Sequence, residues 1–92
     1  MPRVADNSAA FRYEIFTDEG DLAGFSTYTR RGDRVVFWRT EIADEFEGHG
    51  LGGALVRGAM EDIRARGLKV VPRCPYVLEY LERHLEYDGL RA

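Results

Sequence analysis

Residues 48 to 53 read Gly48-His49-Gly50-Leu51-Gly52-Gly53, four glycines in six positions directly ahead of Ala54-Leu55-Val56-Arg57. A glycine-rich turn that opens a helix presents backbone N–H groups and the positive end of the helix dipole, and together these hold phosphate without a basic side chain. The chemistry to expect is recognition of a phosphorylated ligand. A tight turn that lets a helix approach a sheet is the other reading, but one or two glycines would suffice for it. Two well-known phosphate motifs fail on spacing. Gly48-x-Gly50-x-x-Gly53 formally matches a dinucleotide fingerprint, yet that motif follows its strand directly and wants an acidic residue about 20 positions on, where Lys69 and Val70 stand. A P-loop needs lysine after its last glycine, and Ala54 occupies that place.

The second group is Arg73-Cys74-Pro75-Tyr76. Proline suits the first turn of a helix, so Cys74 falls at or just before a helix N-terminus, where the dipole and the neighbouring Arg73 favour its thiolate. Cys74 is either reactive or a small buried residue that does no chemistry, as unpaired cysteine often is. His84 lies ten residues along the same helix, roughly 15 Å away at 1.5 Å per residue, so a direct Cys–His pair is excluded. His49 sits in the glycine loop, within reach of phosphate or solvent; for both histidines an exposed or capping role is the plain alternative. One cysteine and two separated histidines offer neither a disulfide nor a metal-ligand cluster.

Short alternating runs supply the elements that must position these groups. Phe11–Thr17, Leu22–Thr29 and Arg34–Ile42 read as three successive antiparallel strands, with Asp18-Glu19-Gly20-Asp21 and Arg31-Gly32-Asp33 as turns. From Leu51 a helical stripe of Leu51, Leu55, Val56, Ala59, Met60 and Ile63 faces the sheet. Leu68–Val71 is a short buried strand, reached through a helix and therefore parallel to the third strand, with Pro72 closing it. A second helix, Tyr76–His84, buries Val77, Leu78 and Leu81, with Leu85 continuing the stripe. The first ten residues show no periodicity and read as a flexible tail, leaving residues 11–92 as the folded domain. The fold class is α/β, an antiparallel three-stranded meander followed by helix, parallel strand and C-terminal helix.

Composition bounds the function. Ninety-two residues, 45% apolar and 32% charged, make one soluble domain, and a net charge of −3 without a basic block argues against nucleic acid. No apolar run approaches a membrane span or a signal peptide, so a cytoplasmic location is expected.

Glu47-Gly48-His49-Gly50-Leu51-Gly52 resembles the Gln/Arg-x-x-Gly-x-Gly/Ala loop of the GNAT superfamily of acyl-CoA N-acyltransferases. The resemblance runs from about Phe11 to Tyr87 through Ala23-Gly24-Phe25, Thr40-Glu41, Gly67 to Pro72, Cys74-Pro75-Tyr76 and Arg83-His84, and points to its very short single-domain members. It implies acetyl-CoA (coenzyme A) as donor, with Gly48, His49, Gly50, Leu51, Gly52 and Gly53 at the pyrophosphate. The pantetheine would lie like an added strand beside Ile42 where the parallel pair splays, with Tyr80 also on the cofactor side. An amine on a small molecule or a protein would be the acceptor. The resemblance makes Glu41 a candidate general base and Tyr76 or Tyr80 a donor to the leaving thiolate. Cys74 would then carry the acetyl group or merely lie beside the thioester. Surface pairing of Glu41 with Arg12 or Arg39, and rim packing of the tyrosines, are the plain alternatives. Glu47 departs from the Gln or Arg of the motif, and Arg39 and Leu85 stand where relatives carry His and Pro. The helical region with which longer members build an acceptor pocket is missing. The acceptor site is then open, borrowed from a second copy or partner chain, or absent, and a non-catalytic coenzyme A-sensing module is the alternative function. A third is an interaction protein that pairs through an exposed strand edge at Phe11–Thr17.

Overall fold

Inward-facing apolar residues at period two and one apolar helical stripe give a sheet with helices on one of its faces. The computed structural model describes all 92 residues. Its strands are β1 (Arg3–Asn7), β2 (Arg12–Phe16), β3 (Leu22–Arg31), β4 (Arg34–Ile42) and β5 (Lys69–Pro72), hydrogen-bonded in that order. The first four are antiparallel to their neighbours, and β5 is parallel to β4. Helix α1 (Leu51–Ala65) crosses from β4 to β5, and α2 (Pro75–Arg83) follows β5. A sixteen-residue core joins Tyr13, Ile15, Phe37 and Val70 of the sheet to Leu55, Met60 and Ile63 of α1 and to Val77 and Leu81 of α2. The shortest dimension, 20 Å, is that of one sheet and one helical layer. Neither helix is long and apolar enough to cross a membrane.

The N-terminal segment corrects the sequence reading. Residues 3–7 are not a tail but an edge strand, paired from Arg3↔Phe16 to Asn7↔Arg12, so the sheet opens with four antiparallel strands rather than three. The β2 edge expected to be exposed at Phe11–Thr17 is consequently covered. The pattern was hidden because one of the two helix-facing positions of β1 is polar. Val4 packs on α1, where a β-carbon at Gly58 would stand 2.6 Å from the Val4 Cβ, so glycine is needed for the approach. Asp6, the other, accepts a hydrogen bond from the Tyr28 hydroxyl and an ion pair from Arg66 at 3.2 Å. Beside them the Tyr13 hydroxyl donates to Asp62 at 2.7 Å.

Pro72 is the last residue of β5, paired with Phe37, and closes the strand as expected. One smaller correction concerns the C-terminal part. The second helix ends at Arg83, and the extended backbone at His84 (φ −126°, ψ 76°) turns Leu85 out to solvent. Tyr87 takes its place in the core, donating to Glu61 at 2.6 Å under the Arg64 guanidinium.

Candidate functional site

The chain leaves β4 through a 3-10 turn at Asp44–Phe46 and reaches α1 through Glu47-Gly48-His49-Gly50. Gly50 caps the helix at φ 73°, a left-handed conformation that a residue with a side chain adopts at about 1–2 kcal/mol. No side chain caps the helix and its first turn carries no carboxylate. The N–H groups of Gly48 through Gly53 find no acceptor within the chain, so a run of amides at the positive end of a fifteen-residue helix is free to meet an anion. Gly52 serves a different purpose. It is buried under the phenol of Tyr76, whose Cζ would stand 2.9 Å from a β-carbon at that position, with the hydroxyl closer still. Tyr80, one helical turn on, faces Gly53.

Two hollows meet at this loop and share Gly50 and Tyr76. The first, about 420 Å³, runs from Gly48–Gly52 past Ile42 to Thr40. The second is a groove of about 860 Å³ between the start of α1 and α2, lined by Arg57, Tyr80, Arg83 and His84, with Met1 and Pro2 at its rim. The β4–β5 pairing stops at Phe37↔Pro72, so residues Trp38–Ile42 of β4 run on with no β5 partner. A ligand with a phosphate in its middle and an extended arm could lie across the loop, one end in the groove and the arm along this unpaired strand.

The structure gathers some of the expected residues and separates others. Tyr76 and Tyr80 both reach the start of α1 from one face of α2. Cys74 is the N-cap residue of α2, 2% exposed, and its sulfur lies 3.4 Å from the Thr40 hydroxyl. Thr40, whose side chain alternation sends into the first hollow, also lies 2.9 Å from the hydroxyl of buried Ser26. Glu41 points to the opposite, helix-free face of the sheet, in an ion pair with Arg39 at 2.9 Å. His84 is held locally: its Nδ1 lies 2.8 Å from the Tyr80 carbonyl oxygen and its ring stacks 3.8 Å from that of Tyr80. Burial raises the pKa of the Tyr80 phenol. His49 is exposed on the loop. Thr40, Ser26 and Arg57 were not singled out from sequence. The first two become neighbours only through the β3–β4 register, in which Ser26 and Thr40 are directly paired.

Residues 12–90 match the family model described as GCN5-related N-acetyl-transferase. The chain belongs to that family. Solved structures agree with this GCN5-related fold. The solution structure of a GCN5-like proposed N-acetyltransferase from Staphylococcus aureus superposes with a TM-score of 0.73, covering 98% of this chain and 87% of that one at 22% identity, a likeness of fold alone. Nourseothricin acetyltransferase is 36% identical over 66% of this chain and 38% of its own, with a TM-score of 0.52. A proposed acetyl transferase from Pyrococcus furiosus is 26% identical over 78% of this chain and 56% of its own, with a TM-score of 0.57. Among proteins of curated function none matches significantly. The GNAT resemblance and the α/β architecture read from the sequence are thereby borne out.

Proposed function

We propose that the protein binds acetyl-CoA and transfers the acetyl group to an amine of a small molecule or a protein. The observation that carries this reading is the run of unpartnered amides from Gly48 to Gly53 at the start of α1, set between a groove and an unpaired strand edge. These residues fit coenzyme A. The loop amides would hold its pyrophosphate, the exposed side of β4 near Ile42 its pantetheine arm, and the Arg57–Tyr80 groove its adenosine end. When bound, the thioester supplies an activated acetyl group. The chain's own contribution is to align that group, exclude water and move protons. Glu41, on the helix-free face in an exposed ion pair with Arg39, would accept a proton from an amine approaching from that side once it parts from Arg39. Tyr76, which touches both hollows, is the candidate donor to the departing thiolate.

Cys74 fits direct transfer better than a covalent relay, because its sulfur is buried behind Thr40 rather than on the lining of the hollow. A cytoplasmic location, where coenzyme A is plentiful and a lone thiol stays reduced, accords with this reading. The acceptor is a separate matter. The nourseothricin enzyme's name describes its own acceptor, and this chain spans 38% of that protein. A coenzyme A-sensing module is the second reading, favoured by Glu41, the candidate base, being held in an exposed ion pair with Arg39. One experiment decides between them: thermal unfolding with and without acetyl-CoA, paired with a free-thiol release assay over a panel of amines and lysine peptides. Stabilisation with thiol release supports the enzyme, and stabilisation without release for any acceptor supports the sensor. Absence of stabilisation rejects both.

A further inference from the structure

Three hydroxyl or thiol groups from three separate elements converge where the first hollow ends: Ser26 of β3, Thr40 of β4 and Cys74 at the start of α2. Ser26 and Cys74 are 1% and 2% exposed, and each has Thr40 Oγ1 as its only hydrogen-bonding partner. That leaves three protons to be placed. If Thr40 donated to Ser26, the serine's own proton would point into the core with no acceptor, a loss of about 1–3 kcal/mol. Ser26 therefore donates to Thr40. The thiol has no other acceptor, and the arrangement that satisfies it has the S–H donate to the second lone pair of the same oxygen. With both lone pairs filled, the Thr40 proton lies on neither axis and is free for a partner in the hollow that Thr40 lines.

We infer that Thr40 is a dedicated hydrogen-bond donor, held in that sense by Ser26 and Cys74, which recognises the carbonyl oxygen of the acyl thioester. The inference rests on the coenzyme A reading above and adds to it the group that tells an acylated donor from one without a carbonyl. It also bears on the chemistry. When an amine nitrogen adds to the carbonyl carbon, the C=O π pair moves onto oxygen, and that charge falls on the atom Thr40 already holds. The oxygen pair then re-forms the C=O bond as the carbon–sulfur bond breaks with its electron pair leaving on sulfur, and the nitrogen gives up its proton to a base.

The test is binding rather than turnover. Affinities of wild type and variants are measured by calorimetry for acetyl-CoA, for coenzyme A and for S-ethyl-CoA, a thioether that keeps the two-carbon group but lacks the carbonyl oxygen. Wild type should prefer acetyl-CoA to S-ethyl-CoA by roughly threefold to tenfold, the span of one net hydrogen bond. Thr40→Val should bring that ratio to about one while leaving coenzyme A affinity unchanged, and Thr40→Ser should restore it. Ser26→Ala should keep the preference, because it removes a donor to Thr40 and not the Thr40 proton. A wild-type ratio of one, or a preference that survives in Thr40→Val, overturns the inference with the coenzyme A site intact. Equal losses for acetyl-CoA and coenzyme A in Thr40→Val would place the contact on the pantetheine arm and also overturn it. Should Thr40→Val not fold, the wild-type ratio and the Thr40→Ala variant decide. Failure of wild type to bind any of the three compounds rejects the coenzyme A reading itself.

Discussion

Replacing Gly52 with alanine should weaken coenzyme A binding through Tyr76 rather than through the backbone. A β-carbon at Gly52 would stand 2.9 Å from the Tyr76 Cζ, whereas carbon–carbon contact is comfortable near 3.5 Å, so the ring must retreat by at least about 0.6 Å. Tyr76 is 45% exposed and has room to swing outward, so the stability of the free protein should fall by less than the roughly 1–3 kcal/mol of a clash in a closed core. The ligand site cannot escape so easily, since Tyr76 lines both hollows where they meet at Gly50. At a ligand concentration of 100 times Kd, binding stabilises a folded protein by about 2.7 kcal/mol, or some 10–20 °C in Tm for a domain of this size. A tenfold weaker Kd removes about 1.4 kcal/mol of that, roughly 6–11 °C. Differential scanning fluorimetry across a coenzyme A titration resolves such a change. The reasoning also fixes the outcome of the double variant: once Tyr76→Ala has removed the ring, adding Gly52→Ala should cost nothing further. Additive losses in that cycle, or an undiminished Tm shift in Gly52→Ala alone, would refute the steric argument.

Gly50→Ala meets no atom but must hold φ 73°, so it should lower stability by about 1–2 kcal/mol in urea unfolding, and Gly50→Asn by less because asparagine tolerates the left-handed region. With Cys74 behind Thr40, Cys74→Ala should retain amine acetylation, and intact-mass analysis of wild type with acetyl-CoA should show no added acetyl group; an adduct that vanishes in Cys74→Ala would reinstate the covalent route. Through Tyr13, Tyr28 and Tyr87, stability should be level from neutral pH to about pH 10 and fall above it. Burial, then hydrogen bonds to Asp62, Asp6 and Glu61, raise the pKa of Tyr13 and Tyr28 and push that of Tyr87 up to about 12. The folded state therefore keeps protons that the unfolded chain loses near pH 10, and stability drops as pH rises through the folded pKa values. Tyr87→Phe should flatten part of that decline in urea midpoints compared at pH 9 and pH 11.

The elements read most directly from periodicity are those whose inward positions are apolar. β2 turns Tyr13 and Ile15 to the helices, and α1 presents Leu55, Val56, Ala59, Met60 and Ile63, so alternation and the 3.6-residue stripe were both visible. β1 escaped notice because a strand that buries an aspartate against a tyrosine hydroxyl and an arginine carries its fitness in partners 22 and 60 residues away. Gly58 belongs to the same class. Its place in the middle of a helix makes sense only once Val4 is known to lie against it.

The site divides along the same line. The glycine loop was legible because its chemistry is backbone chemistry, contained in six consecutive residues, and the coordinates add that those amides have no internal acceptor. Glu41 was a candidate from sequence and its neighbour Thr40 was not, yet strand alternation sends Glu41 to the helix-free face and Thr40 into the hollow. The carboxylate drew attention from sequence, but the threonine is the one that lines the hollow beside the glycine loop. What sets its role is the β3–β4 register that pairs it with Ser26 and the turn after β5 that brings Cys74 against it. A serine and a cysteine that look inert when taken singly thus acquire a common consequence. Each is a buried donor with one acceptor in reach, and satisfying both leaves the threonine proton free for a partner in the hollow.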